Sequence, residues 1–276
     1  MNKIHFYKMH GAGNDFILID NSVGIFKGTE AGLFSNLCLP HIGIGADGLM
    51  LLEKSKDVDF KLKYFNSDGH GAEMCGNGAR CAVYLANYLE MAPQKCSFEI
   101  NNEIYSAEFV NEKKVRLQMN APEILLSEGE TNTLLSGDFI QAMSIKAAVP
   151  HVVIELNESK IPLKELDVEY WGKYYRHHDK FKPSGTNVNF VVPNENNVLK
   201  ARVYERGVEK ETLACGSGAV ACAIFANQIY KWNSPVSIQF PGGILQVEFE
   251  PNYTRIFLIG PVQLVFEGDF SISDFE

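Results

Sequence analysis

A five-residue pattern that occurs twice constrains this chain more than any other feature of its sequence. Cys75 begins the sequence C-G-N-G-A, and Cys215, 140 positions later, begins C-G-S-G-A. The same offset pairs Tyr64 with Tyr204, Ala86-Asn87 with Ala226-Asn227, and Glu108-Phe109 with Glu248-Phe249. Self-similarity held at one offset over so long a stretch indicates a duplicated structural unit. The chain is therefore interpreted as two copies of one unit.

Each copy contains the same predicted elements in the same order. An apolar strand leads into a polar loop, the C-G-x-G-A sequence follows, and then comes a helical stretch that is apolar on nearly every face. A helix that is apolar all round should be buried. The alternating strands that follow it predict an α+β fold of two pseudo-symmetric domains, each a curled, mostly antiparallel sheet wrapped around a central helix. The predicted halves are residues 1–118 and 119–263, with residues 264–276 returning to the first.

Composition limits the classes of function that remain open. The 276 residues are 46% hydrophobic and 21% charged, as in an ordinary globular protein. A formal net charge of −9 argues against nucleic acid or an anionic membrane as a partner. No apolar run reaches the ~18 residues of a membrane span, and the first residues lack the apolar stretch of a signal peptide. These features predict a cytoplasmic protein, and they suit a soluble enzyme without identifying one.

The cysteines fit neither a disulfide framework nor a metal site. Six in so long a chain are too few for a disulfide scaffold, no C-x-x-C occurs, and no Cys/His cluster has zinc-site spacing. No metal is therefore expected. Cys38, Cys96 and Cys222 fit the pattern of buried apolar thiols. Cys75 and Cys215 do not, because each lies between glycines and a polar loop.

A cysteine at the start of a buried helix is in a position suited to acid–base chemistry. The first amides of a helix lack internal partners and attract an anion such as a carboxylate, and the same field favours a thiolate. Two such elements related by an approximate two-fold axis would place two thiols on opposite sides of one ligand. One thiol could then remove a proton from an α-carbon while the other delivers a proton to the opposite face. The pattern favours epimerase or racemase chemistry.

Two other classes of function remain open from the residues alone. A thiol–disulfide redox protein would use the same two cysteines, although redox pairs usually lie close together as C-x-x-C. A non-catalytic protein that binds a small molecule would not need both thiols. A phosphate-binding loop is disfavoured, because neither copy has the G-x-x-x-x-G-K-[ST] spacing.

Four motifs together resemble the diaminopimelate epimerase family over essentially the whole chain. They are His10-Gly-Ala-Gly-Asn-Asp-Phe16, Met74-Cys-Gly-Asn-Gly-Ala-Arg-Cys81, Tyr204-Glu-Arg-Gly207 and Thr212-Leu-Ala-Cys-Gly-Ser-Gly218. The resemblance implies interconversion of LL- and meso-diaminopimelate, for lysine and peptidoglycan synthesis, without pyridoxal phosphate, metal or any other cofactor. It also implies a homodimer.

The resemblance also implies roles for individual residues. Cys75 would donate a proton and Cys215 would accept one in the LL-to-meso direction, with His151 and Glu205 assisting catalysis. The residues expected to bind substrate are Asn14, Asn66, Gly76, Asn77, Asn187, Glu205, Arg206, Gly216 and Ser217.

Two positions depart from the family pattern. Val149 stands where relatives often have asparagine, and Gly48 stands where they often have glutamine. Both changes remove side-chain hydrogen bonds to the distal part of the substrate and leave the cysteine elements intact. A racemase for another amino acid, such as histidine or proline, is therefore the alternative on the same fold.

Overall fold

The computed structural model describes residues 3–275 and divides the chain into two compact units. Unit 1 comprises Met1–Gln118 and Gly260–Glu276, and unit 2 comprises Met119–Ile259. Within the described residues, no helix is long and apolar enough to cross a membrane.

Unit 1 begins with seven strands and two helices. They are β1 (Lys3–Gly11), β2 (Asn14–Asp20), α1 (Ala31–Cys38), β3 (Gly48–Glu53), β4 (Phe60–Asn66), α2 (Gly76–Tyr88), β5 (Lys95–Ile100), β6 (Glu103–Asn111) and β7 (Lys114–Met119).

Unit 2 contributes nine strands and three helices before the chain returns to unit 1. They are β8 (Glu123–Leu126), α3 (Glu128–Asn132), β9 (Phe139–Ala147), β10 (Val149–Leu156), α4 (Val168–Arg176), β11 (Asn187–Asn194), β12 (Val198–Glu205), β13 (Lys210–Thr212), α5 (Gly216–Tyr230), β14 (Val236–Phe240), β15 (Gly243–Phe249) and β16 (Ile256–Pro261). The returning strand is β17 (Gln263–Ser271).

The two units share one strand order. In unit 1 the order is β17-β1-β2-β3-β4-β5-β6-β7, with parallel pairing only between β2 and β3 and between β4 and β5. In unit 2 the order is β8-β9-β10-β11-β12-β14-β15-β16, and the parallel pairs fall at the same two places. The returning β17 therefore occupies in unit 1 the position that β8 occupies in unit 2. The predicted α+β fold with mostly antiparallel sheets is confirmed.

Each sheet packs against one buried helix. Helix α2 contacts β1, β2 and β3, while α5 contacts strands from β9 to β15. The residues from Gly76 to Val83 are all buried, and so are Ala219 to Ala226. The prediction that these all-round apolar helices are buried is confirmed, and each sheet places the start of its helix at a strand end.

The strand ladders change part of the match between the two copies by one residue. In unit 1, Phe60 pairs with Phe98 across the parallel ladder, and the corresponding pair in unit 2 is Leu199 with Ile238. The positions after the cysteines keep the offset of 140, but β4 and β12 are offset by 139 because the connection from β12 to Cys215 is one residue longer. The match of Tyr64 with Tyr204 is therefore wrong, and Phe65 corresponds to Tyr204.

Candidate active site

Cys75 lies at the first turn of α2 and faces an amide oxygen. It is the N-cap residue, with extended backbone angles (φ −109°, ψ 116°), and its side chain is half-buried. The thiol donates to Asn14 Oδ1 at 3.6 Å, and Asn77 Nδ2 donates to the same oxygen at 3.3 Å. The structure thus brings three of the predicted residues of unit 1 together. Only the protonated thiol can donate to this carbonyl oxygen, whereas the start of the helix and the cation of Arg80 favour the thiolate.

Charged groups at both ends fix the direction of these hydrogen bonds. Asn14 Nδ2 donates to Asp47 Oδ2 at 2.6 Å, and Arg80 Nη2 donates to Asn77 Oδ1 at 3.0 Å. A carboxylate only accepts and a guanidinium only donates, so neither amide can be turned round without loss. Asn14 therefore presents its oxygen to Cys75. The sequence analysis did not identify Asp47 or Arg80 as site residues.

The environments of these two charged groups shift their pKa values. Although part of Asp47 is exposed, desolvation raises the pKa of its carboxyl, nearby Asp15 raises it further, and the hydrogen bond from Asn14 opposes both. Burial lowers the pKa of Arg80 to about 10, while Cys81 and Cys75 act in the opposite direction. Arg80 remains a cation at neutral pH, fully buried behind the helix start and held also by the carbonyl of Gly76 at 3.0 Å.

Cys215 lies at the first turn of α5 and accepts a hydrogen bond from a helix amide. Its side chain accepts from the backbone N–H of Gly218 at 3.4 Å, and Ser217 Oγ lies 3.5 Å from the sulfur. The backbone is extended at the N-cap (φ −122°, ψ 122°), as at Cys75, and the residue is buried. Donors at the sulfur favour the thiolate.

His151 joins this second cysteine element through Ser217. The ring is fully buried, with Nε2 3.0 Å from Ser217 Oγ and Nδ1 3.1 Å from Asn189 Nδ2. Burial, followed by the charge of Arg206, lowers the pKa of His151 to about 3. The imidazole is therefore neutral at physiological pH. Asn189 was not predicted as a site residue.

The remaining predicted residues of unit 2 lie at the ends of β11 and β12. Asn187 Oδ1 accepts from the backbone N–H of Arg206 at 2.7 Å, and the Arg206 guanidinium donates to the carbonyl of Ser184 at 3.4 Å. The Glu205 carboxylate accepts from the hydroxyl of Thr212. The buried amide of Asn187 thus holds the backbone of the loop that follows β12.

Asn66 and Gly48 are directly opposite each other across the ladder of β3 and β4. Asn66 is exposed at the end of its strand, where its backbone N–H donates to the carbonyl of His70. A Cβ at position 48 would lie 2.6 Å from the carbonyl oxygen of Phe65 and 2.7 Å from the ring of Tyr64. A glutamine at position 48 therefore does not fit this backbone unless the neighbouring strand shifts.

Each unit thus supplies a cysteine at the start of a helix and a network of polar side chains beside it. Within residues 3–275, no group of three or more His, Cys, Asp or Glu side chains is arranged as a metal site.

Solved structures identify the class of fold. The chain matches a phenazine biosynthesis protein of the PhzF family from Bacillus anthracis with a TM-score of 0.75 at 14% identity, over 98% of this chain and 100% of that one. It also matches a probable proline racemase from Agrobacterium radiobacter K84 with a TM-score of 0.66 at 12% identity, over 97% and 93%. The protein therefore has the same fold as these two structures.

The sequence comparison identifies the family within that class. The family model described as diaminopimelate epimerase matches residues 6–125 and 143–265. The diaminopimelate epimerase of Aquifex aeolicus is 38% identical over 282 aligned residues, which cover 97% of this chain and 98% of the relative. The chain belongs to the diaminopimelate epimerase family and is an isomerase. The resemblance predicted from the four motifs is confirmed.

Proposed function

We propose that this protein interconverts LL- and meso-2,6-diaminopimelate in lysine and peptidoglycan precursor synthesis, with Cys75 and Cys215 as its acid and base. The observation that carries the proposal is a cysteine at the N-cap of a buried helix in both units of a chain of this family. Epimerisation needs one group to take the α-proton and another to deliver a proton to the opposite face. Two thiols at equivalent places in a duplicated fold meet that need.

The two different environments support the direction of proton transfer that we assign. Cys75 donates to Asn14, which favours a thiol, whereas Cys215 accepts from Gly218, which favours a thiolate. In the LL-to-meso direction the Cys215 thiolate removes the α-proton and the Cys75 thiol protonates the carbanion. In the reverse direction the roles are exchanged.

The helix starts would lower the barrier to forming the carbanion. An α-C–H is a very weak acid, so negative charge that moves onto the substrate carboxylate must be stabilised in the transition state. The amides of Gly76, Asn77, Gly216 and Ser217 are the first of their helices and lack helical partners. We assign them to the reacting carboxylate, with the cation of Arg80 behind the first pair. This chemistry requires neither a Schiff base nor a metal.

The remaining assignments extend this proposal. Asn14, Asn66 and Asn187 bind the substrate together with Glu205 and Arg206, and His151 supports Cys215 through Ser217. The enzyme acts in the cytoplasm as a homodimer on a small amino acid. Light scattering after size exclusion should give twice the mass of one chain, and the monomer mass would refute the dimer.

The reaction is tested by isotope incorporation. In deuterated water, LL-diaminopimelate should gain one deuterium at one α-carbon as it becomes the meso isomer, measured by mass and chiral chromatography. Histidine and proline serve as comparison substrates. Exchange with either of these, but not with diaminopimelate, would move the function to the alternative racemase. The family assignment favours diaminopimelate.

Single cysteine variants test the two roles. Cys75→Ala and Cys215→Ala should each abolish epimerisation, because every turnover needs one acid and one base. Each variant should still eliminate halide from one stereoisomer of a β-halogenated substrate, since the remaining thiolate can remove that isomer's proton. The two variants should prefer opposite isomers. A shared preference would mean that one cysteine serves both steps.

A further inference from the structure

Unit 2 contains a buried polar pair where unit 1 has an apolar one. His151 and Asn189 are both fully buried beneath the start of α5. The ladders identify their counterparts: with β4 and β12 aligned, Met50 corresponds to Asn189, because they face Tyr64 and Val203. One strand further, Phe16 corresponds to His151.

The glycines of the two C-G-x-G-A sequences support this correspondence. A Cβ at Gly78 would lie 1.8 Å from Cε of Met50, and a Cβ at Gly218 would lie 2.6 Å from Oδ1 of Asn189. In both units the residue at this position of the sheet presses against the second glycine after the cysteine. The fold is built in unit 1 with phenylalanine and methionine, so it does not require histidine and asparagine in unit 2.

The polar pair also has a cost. Among the described residues, Asn189 Oδ1 is buried and has no hydrogen-bond partner. A buried acceptor left unsatisfied costs free energy that an apolar side chain would avoid. An asparagine retained here at that cost points to a role other than stability.

The contacts of Asn189 determine the proton position on His151. Asn189 Nδ2 lies 3.3 Å from the carbonyl oxygen of Val152, which can only accept, so the amide nitrogen must face that side. The same nitrogen lies 3.1 Å from Nδ1 of His151, which must therefore be the acceptor. In a neutral imidazole the proton is then on Nε2.

The proton on Nε2 sets the direction of the next hydrogen bond. Nε2–H donates to Ser217 Oγ at 3.0 Å, which leaves the hydroxyl proton free to point to the sulfur of Cys215 at 3.5 Å. Asn187 Nδ2 also faces Nε2, but at 3.5 Å, and it favours the other tautomer. The shorter contact at Nδ1 decides between them.

We propose that Asn189 is a positioning residue that holds His151 in its Nε2–H tautomer, so that Ser217 donates to Cys215 and stabilises the thiolate. This inference rests on the proposed function of Cys215 as a base. The ionisable group that acts on His151 besides its burial is Arg206, which follows the end of β12.

Asn189→Met, which introduces the residue found at the same place in unit 1, is the decisive variant. Met50→Leu in unit 1 is its matched control, and thermal unfolding monitored by circular dichroism tests whether both variants fold. In protein labelled with ¹⁵N-histidine, the wild-type His151 ring should show a protonated Nε2 and a bare Nδ1. Asn189→Met should shift the ring toward the Nδ1–H tautomer, because Asn187 then has no competitor. The His151→Gln variant assigns the signal. A wild-type ring protonated at Nδ1 would overturn the proposal.

The effect on the sulfur is measured separately. With ¹³Cβ-cysteine labels, and Cys215→Ala for assignment, the titration midpoint of Cys215 should rise by about one pKa unit in Asn189→Met, which corresponds to about 1.4 kcal/mol. Ser217→Ala should raise the titration midpoint of Cys215 by the same amount. The double variant should raise it no further, since both changes remove the same hydrogen bond, from Ser217 to Cys215. Additive shifts, or no shift, would refute the chain from Asn189 to Cys215.

These readouts need no turnover. If the wild-type protein failed to incorporate deuterium into diaminopimelate, the proposed function would fail while the tautomer and the titration still tested Asn189.

Discussion

The buried neutral His151 should make the stability of the protein depend on pH in a specific window. Its pKa falls from the ordinary 6.5 to about 3 on folding, because burial disfavours the imidazolium. Above pH 6.5 the ring is neutral in both states and nothing changes. Below pH 6.5 the unfolded chain binds a proton that the folded chain refuses, so the free energy of unfolding falls as pH falls toward 3.

The expected size follows from the same shift. Each pH unit within the window costs about 1.4 kcal/mol, so going from pH 6.5 to 5 should remove about 2 kcal/mol of unfolding free energy through this residue. His151→Phe, which introduces the residue at the equivalent place in unit 1, removes the titrating group and therefore this loss. Other ionisable groups cancel when the variant is compared with the wild type.

Urea unfolding of both proteins at pH 7, 6 and 5 measures the effect. Between the upper end of the window and pH 5, the free energy of unfolding of His151→Phe should rise relative to that of the wild type by about 2 kcal/mol. This change is expected whatever the stability of the variant at pH 7. His177→Phe, at an exposed histidine of unit 2, serves as the control. A difference between His151→Phe and wild type that is the same at every pH would refute the burial of a neutral imidazole.

Three further outcomes are expected. Asp47→Asn should raise KM for diaminopimelate about fivefold in steady-state assays, since it frees the Asn14 amide to turn at a cost of about 1 kcal/mol, and Asp47→Glu should stay closer to wild type. Gly78→Ala should lower the free energy of unfolding by about 1 kcal/mol, because its Cβ would displace the end of the buried Met50 side chain, and Met50→Ala should therefore cost less in this variant than in the wild type. Dialysis against a chelator or treatment with a carbonyl reagent should leave epimerisation unchanged, and loss of activity that zinc restores would contradict the mechanism.

The sequence was informative where the duplication left a visible record. Two C-G-x-G-A sequences at one offset predicted a repeated α+β unit, and the apolar stretches after them predicted buried helices. Both predictions depend on local pattern, which the chain shows directly. The offset of 139 between β4 and β12 is established by the strand partners, since a one-residue insertion beyond β12 breaks the match at a single offset.

The missed site residues depend on contacts between distant segments. The parallel ladder of β10 and β11 brings His151 beside Asn187, 36 positions away, and so also within reach of Asn189. Two signals could have indicated these residues. Asn187 and Asn189 are two positions apart and therefore lie on the same face of a strand that is otherwise rich in apolar residues. Arg80 is a charged residue within a helix that is predicted to be buried.

The duplicated fold has diverged at the layer beneath its two helices, and that divergence suits the chemistry. Under α2 the layer is apolar, and the polar contacts come from a carbonyl oxygen at Cys75 and from a buried cation behind the helix start. Under α5 a neutral imidazole and an amide direct donors toward Cys215. Each turnover exchanges the protonation states of the two thiols, so both one-proton states must be accessible, and two coupled thiols of equal affinity would also share one proton. The unlike surroundings instead bias which thiol holds the proton at rest, which supports the proposed role of Cys215 as the base in the LL-to-meso direction.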